Sequence, residues 1–257
     1  NIHRYLLSRN FSNILEALNP DPDDYYITPY IEGIKIPNEQ KAEDLALLMG
    51  NLHAKTVFYK EIDLDKIKEI YENLILKINN SKTYYQKLED IIINDIYMAP
   101  SCFLLIKNIS VIYYSLNYAL QELKDWYELI SEKKRERVTV VHNNLSIEHL
   151  LHNDHNYLIS WDRAKLDYPI YDFYSFFMNN DYTYDYVTLF YLYQSKFPLM
   201  EEEKKLLFVL LSIPDKINIT YNVYNDTKKI YHTIYRLIKI NEIISKHYPK
   251  DKPKPQK

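Results

Sequence analysis

The stretch of residues 138–162 constrains the fold of this chain more than any other segment. Residues 138–141 are β-branched and predict a short strand that ends at His142. A polar cluster at residues 153–156 predicts a turn, so that residues 150–160 form a hairpin. Most of the remaining chain has apolar residues at helical spacing. The sequence therefore predicts a mainly helical α+β fold in which a short strand ends in a polar loop.

Four polar residues of this stretch follow the spacing of a phosphotransferase catalytic loop. The loop begins at His142, and Asn144, His149 and Asp162 then occupy the three positions that carry the chemistry. In kinases these positions are Asp, Asn and Asp. The first accepts the proton of the substrate hydroxyl, and the other two hold Mg²⁺ and through it the phosphates. Of the three, Asp162 keeps the residue type of that frame.

The segment resembles the aminoglycoside phosphotransferase and choline kinase family, which has the protein-kinase-like fold and includes spore-coat kinase-like proteins. The family loop reads His-Gly-Asp-Leu-His-x-Gly-Asn-x-Leu, and the next strand ends in Ile-Asp-Trp-Asp. Leu145, Leu150 and Leu151 match the loop, and Ile-Ser-Trp-Asp at residues 159–162 matches the strand. Residues 167–173, Asp-Tyr-Pro-Ile-Tyr-Asp-Phe, resemble the Asp-Pro-x-Tyr-Asp-Leu that follows.

The resemblance implies a role for each matching residue. His142 is expected to be structural and to pack beneath the loop, and Asp172 is expected to open a helix and brace the loop. Asn144 and Asp162 occupy the catalytic positions. Asp162 is also the expected metal ligand, and His149 is a second, weaker candidate.

A further match lies upstream of the loop. Residues 45–53, with the sequence LALLMGNLH, resemble the family's Leu-Ala-x-Leu-His helix, and residues 25–33 resemble the last N-lobe strand and the hinge. The residues whose backbone would hydrogen-bond adenine in such a hinge are Ile31, Glu32 and Gly33. The resemblance thus implies three regions: a partial N-lobe at residues 1–33, a helical C-lobe at residues 34–249, and a disordered basic tail at residues 250–257.

Glycine is scarce, with two residues in the whole chain, Gly33 and Gly50. Kinases that cover ATP with a glycine-rich loop need several glycines close together, because the backbone must approach phosphate without an intervening Cβ. That loop is not in this sequence. We expect the sequence to begin inside an N-lobe, without the earlier strands and their phosphate-binding Lys.

The pattern of apolar residues predicts the other elements. A helix is expected at residues 2–18, and a strand at residues 25–31 with Pro29 near its end. Asn38 is a candidate N-cap for the next helix. Two long helices are expected at residues 64–95 and 102–134, and helices continue after Asp172.

The two altered loop positions change the chemistry that the frame can support. A carboxylate general base contributes roughly 10²–10⁴-fold in rate, and the Asn144 carboxamide cannot accept a proton at neutral pH. Mg²⁺ prefers oxygen ligands, whereas the imidazole of His149 suits transition metals. Asp162 could still hold one Mg²⁺ with phosphate and water, and Glu148 or Asp154 could in principle supply a replacement carboxylate. ATP and Mg²⁺ are the cofactors of an active enzyme of this kind, and weak or absent binding is equally allowed.

A cluster of histidines raises the alternative of a transition-metal site. Four of the eight histidines lie in this stretch: His142, His149, His152 and His155. Their spacing crosses the predicted hairpin, and no cysteine completes a tetrahedral set. The metal site is therefore the weaker interpretation, and His53 is likewise interpreted as a hydrogen-bonded helix residue.

Composition excludes several classes of protein. A net charge of −3 with interspersed signs argues against a nucleic-acid partner, because phosphate binding needs a basic face. No apolar run reaches about 18 residues, so no membrane partner is expected. One cysteine, Cys102, fits a reducing compartment, and we expect a cytoplasmic protein.

Three functions remain, in descending order. The first is a kinase-like pseudoenzyme or binding module with weak or no phosphoryl transfer, whose partner is an unknown small molecule or protein. The second is an active ATP- and Mg²⁺-dependent phosphotransferase for a small hydroxylated molecule. The third is an unrelated helical interaction protein, which requires the ordered matches to be coincidence.

Overall fold

The computed structural model describes residues 2–16, 18, 27–180, 183–220 and 222–248. These residues form a mainly helical α+β fold, as predicted. The helices are α1 Ile2–Ser8, α2 Asn38–Thr56, α3 Leu64–Ile93, α4 Pro100–Ser131, α5 Ile170–Asn179, α6 Tyr186–Lys196, α7 Glu201–Ser212 and α8 Val223–His247. The strands are β1 Phe58–Glu61, β2 Arg135–Val141, β3 Leu150–His152, β4 Asn156–Leu158 and β5 Lys165–Asp167.

The chain divides into two compact units. One unit comprises Asn1–Glu61 and Arg135–Glu203, and the other comprises Ile62–Lys134 and Lys204–Lys257. The boundary at residue 33 stays a prediction, and the tail at residues 250–257 lies outside the described residues.

The first unit contains a three-stranded antiparallel sheet in the order β1-β2-β5 and the hairpin β3-β4. The central strand β2 begins at Arg135, three residues before the predicted start. Val138, Val140 and Val141 are buried, since a central strand with both neighbours paired packs its β-branched side chains well. In the hairpin, Leu150 pairs with Leu158 and His152 with Asn156. The loop at His142 thus leaves the middle strand of the sheet.

The predicted helix at residues 2–18 is wrong beyond Ser8. Asn10 has a φ of 58°, a left-handed conformation that ends the helix. Phe11 and Ile14 are buried outside the helix, and Ile14 forms a parallel bridge with Leu158. The apolar spacing that predicted a longer helix therefore reflects burial without helical structure.

The predicted strand at residues 25–31 is also wrong in its described part. Tyr25 and Tyr26 lie outside the described residues, and residues 27–31 are not part of a strand. At the start of this segment, the carbonyl of Ile27 accepts a hydrogen bond from the amide of Leu18 at 2.7 Å.

The second unit contains the long helices α3, α4 and α8. The predicted helices at residues 64–95 and 102–134 match α3 and α4 to within three residues at each end. Pro100 is at the start of α4, where its missing N–H costs nothing. Leu105, Ile112 and Leu116 lie on the buried face of α4. Among the described helices none is both long and apolar enough to cross a membrane.

Substitution of the two glycines by alanine is expected to have different effects on stability. A Cβ on Gly50 would lie 2.7 Å from Cβ of Lys196 and 2.9 Å from the carbonyl oxygen of Tyr193, so α2 and α6 would have to move apart. We expect Gly50→Ala to lower the free energy of unfolding by about 1–3 kcal/mol through overpacking, despite the better helix propensity of alanine.

Gly33→Ala is the matched control. The new Cβ would meet Leu151 at 3.7 Å, an ordinary contact, and Gly33 has no positive φ. Its stability should stay level or rise by up to about 1 kcal/mol, because alanine restricts the unfolded chain. Urea unfolding of both variants measures the difference. Equal stability of both variants would contradict the close packing of α2 against α6.

Candidate functional site

The loop that follows β2 makes a sharp turn at its second residue. Asn143 has a φ of 60°. This is the position of the glycine in the His-Gly-Asp loop that the sequence resembles. Asparagine tolerates the left-handed conformation better than other residues with a Cβ. The chain therefore keeps the turn without the glycine.

The carboxylate of Asp172 clamps this turn. Its Oδ2 accepts a hydrogen bond from the amide of His142 at 2.8 Å, and its Oδ1 accepts one from the amide of Asn143 at 2.7 Å. Asp172 is on the first turn of α5 and is fully buried. Hydrogen bonds to a buried carboxylate are among the stronger ones in proteins. Two successive backbone amides of the loop are thus fixed by one side chain.

Three more polar residues of α5 and its C-terminal end bind the loop backbone. Ser175 Oγ accepts from the amide of Leu145 at 3.2 Å, and Asn179 Nδ2 donates to the carbonyl of Leu145 at 3.2 Å. Asn180 Oδ1 accepts from the amide of Ile147 at 2.9 Å. Sequence reasoning missed these residues. The sequence feature that could have identified them is a row of polar residues, at helical spacing with Asp172, on a helix that is otherwise rich in Phe.

A buried chain of hydrogen bonds supports Asp172 from α2. His53 Nε2 is 3.1 Å from Asp172 Oδ2, and His53 Nδ1 is 2.9 Å from the hydroxyl of Tyr193. Burial, and then the charges of Glu203 and Asp172, raise the pKa of Tyr193 well above its ordinary value. The Tyr193 hydroxyl therefore keeps its proton beside His53 Nδ1, and His53 donates from Nε2 to the Asp172 carboxylate, which only accepts.

His142 packs beneath the loop. Its Nε2 donates to the carbonyl of Ile159 at 2.8 Å, and its ring centroid is 5.0 Å from that of Trp161 and 5.6 Å from that of His149. Burial lowers the pKa of His142, although the Asp172 charge and the hydrogen bond to Ile159 act in the opposite direction. The ring is therefore neutral at pH 7.

His149 occupies the position where the resemblance expects asparagine, and its side chain hydrogen-bonds to the backbone of the loop. Its Nδ1 lies 2.7 Å from the carbonyl oxygen of Asn144. A carbonyl only accepts, so Nδ1 carries a proton and Nε2 is the ring nitrogen left to face another partner. The position therefore offers a nitrogen where Mg²⁺ prefers oxygen, and the loop contents do not fit an Mg²⁺ site.

The two positions that were predicted to be catalytic lie in different surroundings. Asn144 is half-buried, and its carboxamide makes no hydrogen bond within the part of the chain that the structure describes. Asp162 is 71% exposed in a short 3₁₀ helix, and its Oδ2 is 4.0 Å from Nε of Arg163. Ser160, just before this helix, has a φ of 66°. A sharp turn thus presents Asp162 to solvent.

Asp162 lies on a cleft of about 940 Å³ within the first unit. Ile31 and Gly33 of the predicted hinge also border the cleft, together with Leu151 and Leu158 of the hairpin. The structure therefore brings two of the three predicted hinge residues and Asp162 to one cavity. Glu32, Asn144 and His149 are not among its lining residues, and the carbonyl of Glu32 accepts from Nδ2 of Asn153 at 3.1 Å.

The histidines of this stretch do not converge on a metal site. His152 Nδ1 is 2.7 Å from Oδ1 of Asn156, and the His155 side chain is 73% exposed. Over the described ranges, no three His, Cys, Asp or Glu side chains are arranged to hold a metal ion. Asp154 accepts from the amide of His155 and the hydroxyl of Tyr157. The structure thus does not support the transition-metal alternative.

Comparison with known proteins identifies the fold. No family model matches the sequence, and no curated protein matches it significantly. The crystal structure of an aminoglycoside phosphotransferase from Alicyclobacillus acidocaldarius is similar, with a TM-score of 0.68 and 10% sequence identity. The match covers 95% of this chain and 80% of that chain. At this identity the similarity shows the fold alone, and the predicted kinase-like α+β fold is confirmed.

The clamp predicts that substitution of Asp172 will lower the stability far more than substitution of Asp162. Asp172→Asn leaves one carbonyl oxygen for the three donors that Asp172 now satisfies, so we expect a loss of roughly 3 kcal/mol in the free energy of unfolding. Asp162→Asn is the matched control, because Asp162 is exposed, and should change it by less than about 0.5 kcal/mol. Chemical denaturation measures both. Similar small losses would show that the clamp contributes little.

His142 predicts a dependence of stability on pH. The folded pKa of His142 lies below its ordinary value of 6.5, so the unfolded chain binds the proton first as pH falls. The stabilisation is fully present above about pH 6.5 and is lost as pH falls toward the folded pKa. Between pH 7.5 and pH 5.5, the free energy of unfolding should fall less in His142→Gln than in the natural chain. An equal loss would contradict a buried neutral His142.

Proposed function

We propose that this chain is a kinase-like binding protein with a degenerate catalytic loop and little or no phosphoryl transfer. The single observation that carries the proposal is the contrast within one loop. Its backbone is held by the Asp172 clamp, while Asn144 and His149 replace the base and the oxygen ligand of the kinase frame. The loop is thus built as in a kinase but lacks the groups that move a proton and hold Mg²⁺.

The expected reduction in phosphoryl-transfer rate supports a binding protein over an active enzyme. Loss of a general base alone lowers the rate by roughly 10²–10⁴-fold. Phosphoryl transfer relies mainly on electrostatic stabilisation by metal ions and cations, so a nitrogen in place of an oxygen ligand adds to that loss. Neither Glu148 nor Asp154 borders the cleft beside Asp162 as a replacement carboxylate.

The partner in this proposal is a small molecule or a protein rather than a nucleic acid. The cleft of about 940 Å³ is of the size that encloses small ligands. With ATP and Mg²⁺ as its cofactors, a second candidate function is phosphoryl transfer to a small hydroxylated molecule. That candidate is favoured by one observation, the position of Asp162 on the same cleft as Ile31 and Gly33.

A turnover assay distinguishes the two candidates. The chain is incubated with ATP, Mg²⁺ and a set of aminoglycosides, sugars and amino alcohols, and phosphoryl transfer is followed by mass spectrometry. The proposal expects no product above the level of Asp162→Ala. Product that depends on an added hydroxylated compound, and that Asp162→Ala abolishes, would establish the active enzyme instead.

The double variant Asn144→Asp, His149→Asn is the matched control for this assay. It restores both side chains of the kinase frame and leaves the Asp172 clamp in place. Turnover in the double variant but not in the natural chain would attribute the inactivity to these two side chains.

A further inference from the structure

A cavity of about 520 Å³ in the second unit lies along the first turns of α8. Its lining residues on this helix are Asn225, Lys228, Lys229, His232 and Thr233. Their spacing, i, i+3, i+4, i+7 and i+8, places them on one face of the helix. The segment 215–220, which precedes α8, supplies the rest of the described lining and includes Lys216. A helix face with this spacing is usually apolar and packs on the core, but here it is polar and basic.

The positive charge of this cavity is not neutralised by carboxylates. Lys216, Lys228 and Lys229 are exposed, and none of them forms an ion pair within the part of the chain that the structure describes. Asp215 supplies a lining carboxylate, but it already binds the buried guanidinium of Arg236 at 2.8 Å. The cavity therefore presents three lysine charges that are available to a ligand, in a chain whose net charge is −3.

The segment that carries Lys216 is held in place by two helices. The hydroxyl of Tyr84 on α3 donates to the carbonyl of Ile217 at 2.8 Å, and Lys216 Nζ lies 5.4 Å from the centroid of the Tyr84 ring. From α8, the carboxylate of Asp226 accepts hydrogen bonds from the amide and the hydroxyl of Thr220, at 3.0 and 2.8 Å. The segment is thus fixed before a ligand arrives, which lowers the entropy lost on binding.

Lysines around one cavity favour a phosphate group over a carboxylate. A phosphate monoester carries a charge of about −1.5 to −2 at pH 7 and has several strong acceptor oxygens, so separate ammonium groups can bind different oxygens. Planar carboxylates are instead matched by the bidentate guanidinium of arginine, and no arginine is among the described lining residues. The volume of about 520 Å³ leaves room for the organic part of a phosphate ester.

From the charge and the position of these lysines, we propose that the cavity along α8 binds a small soluble molecule with a terminal phosphate group, without a metal ion. The inference goes beyond the proposed function, because it concerns a different cavity in the other unit. The cleft beside Asp162 has no lysine or arginine among its described lining residues. The proposal therefore holds whether or not the chain transfers phosphoryl groups, and its failure would leave the proposed function unchanged.

Titration calorimetry of the full chain with pyrophosphate tests the ligand class. The titration is done in EDTA, so that no divalent metal ion contributes to binding. We expect a Kd below about 1 mM, and a Kd at least about threefold higher for citrate, a tricarboxylate that serves as the control for charge. Citrate bound as tightly as pyrophosphate would overturn the preference for phosphate. Absence of pyrophosphate binding would overturn the site itself.

Two double variants locate the binding on the chain. Lys228→Gln, Lys229→Gln removes two of the lysine charges of the cavity and should raise the Kd for pyrophosphate at least about tenfold. Lys107→Gln, Lys124→Gln removes the same charge from exposed positions of α4, and its Kd should stay within about twofold of the natural value. Equal weakening in both variants would overturn the site, because net charge rather than the cavity would then govern binding.

Acetylation of lysines maps the site in the natural chain. The chain is treated with a limiting amount of an acetylating reagent, with and without pyrophosphate, and each modified lysine is quantified by mass spectrometry. Bound phosphate should slow acetylation of Lys216, Lys228 and Lys229 at least about threefold, because it occupies their ammonium groups. Lys107 and Lys124 should react at unchanged rates. Equal protection of all five lysines would contradict binding in the cavity.

A comparison with vesicles distinguishes a soluble phosphate ester from a lipid headgroup. Glycerol 3-phosphate and phosphatidic acid carry the same phosphate monoester. We expect glycerol 3-phosphate to bind with the same dependence on Lys228 and Lys229 as pyrophosphate. Vesicles of phosphatidylcholine with about one quarter phosphatidic acid should not sediment the protein. Sedimentation with these vesicles that is lost in Lys228→Gln, Lys229→Gln would overturn the soluble ligand and assign the lysines to a membrane surface.

Discussion

The buried carboxylate of Asp172 is the interaction on which the site depends. It accepts hydrogen bonds from the amides of His142 and Asn143, and from the ring of His53. A buried carboxylate is costly to desolvate and stays in place only when its lone pairs are satisfied. The three donors come from the loop after β2 and from α2, while Asp172 itself lies on α5. One side chain therefore ties together three segments that are far apart in sequence.

This arrangement separates the shape of the loop from its chemistry. The clamp acts on backbone amides, which every residue other than proline possesses, so residues at the predicted catalytic positions can change while the turn is preserved. Asn143 keeps the left-handed turn and His149 still bonds to the carbonyl of Asn144. The kinase-like fold and a loop without the expected base are therefore compatible in one molecule.

Sequence reasoning found the parts of the fold that short-range patterns encode. The β-branched run before His142 became β2, and the polar cluster after His152 became the hairpin turn. The long amphipathic helices α3 and α4 were also predictable, since their apolar periodicity runs over many turns. Asp172 was identified by its position in a resembling motif, and its contacts required the structure.

The parts that were missed depend on contacts distant in sequence. The first helix ends early because Asn10 turns the chain, and Phe11 and Ile14 are buried outside the helix. The strands β1 and β5 have little pattern of their own and are defined by pairing with β2. The contacts of Ser175, Asn179 and Asn180 with the loop, 30 or more residues earlier, follow no local rule.

Hydrogen exchange at the backbone amides of His142 and Asn143 tests the central claim most directly. If the Asp172 clamp holds the loop, both amides should exchange only through opening of the first unit, as slowly as the amides in the middle of β2. The rates should be the same in Asn144→Asp, since the clamp does not involve the side chain of residue 144. Exchange at the rate of an exposed loop would contradict the account, because the turn would then be held by something other than Asp172.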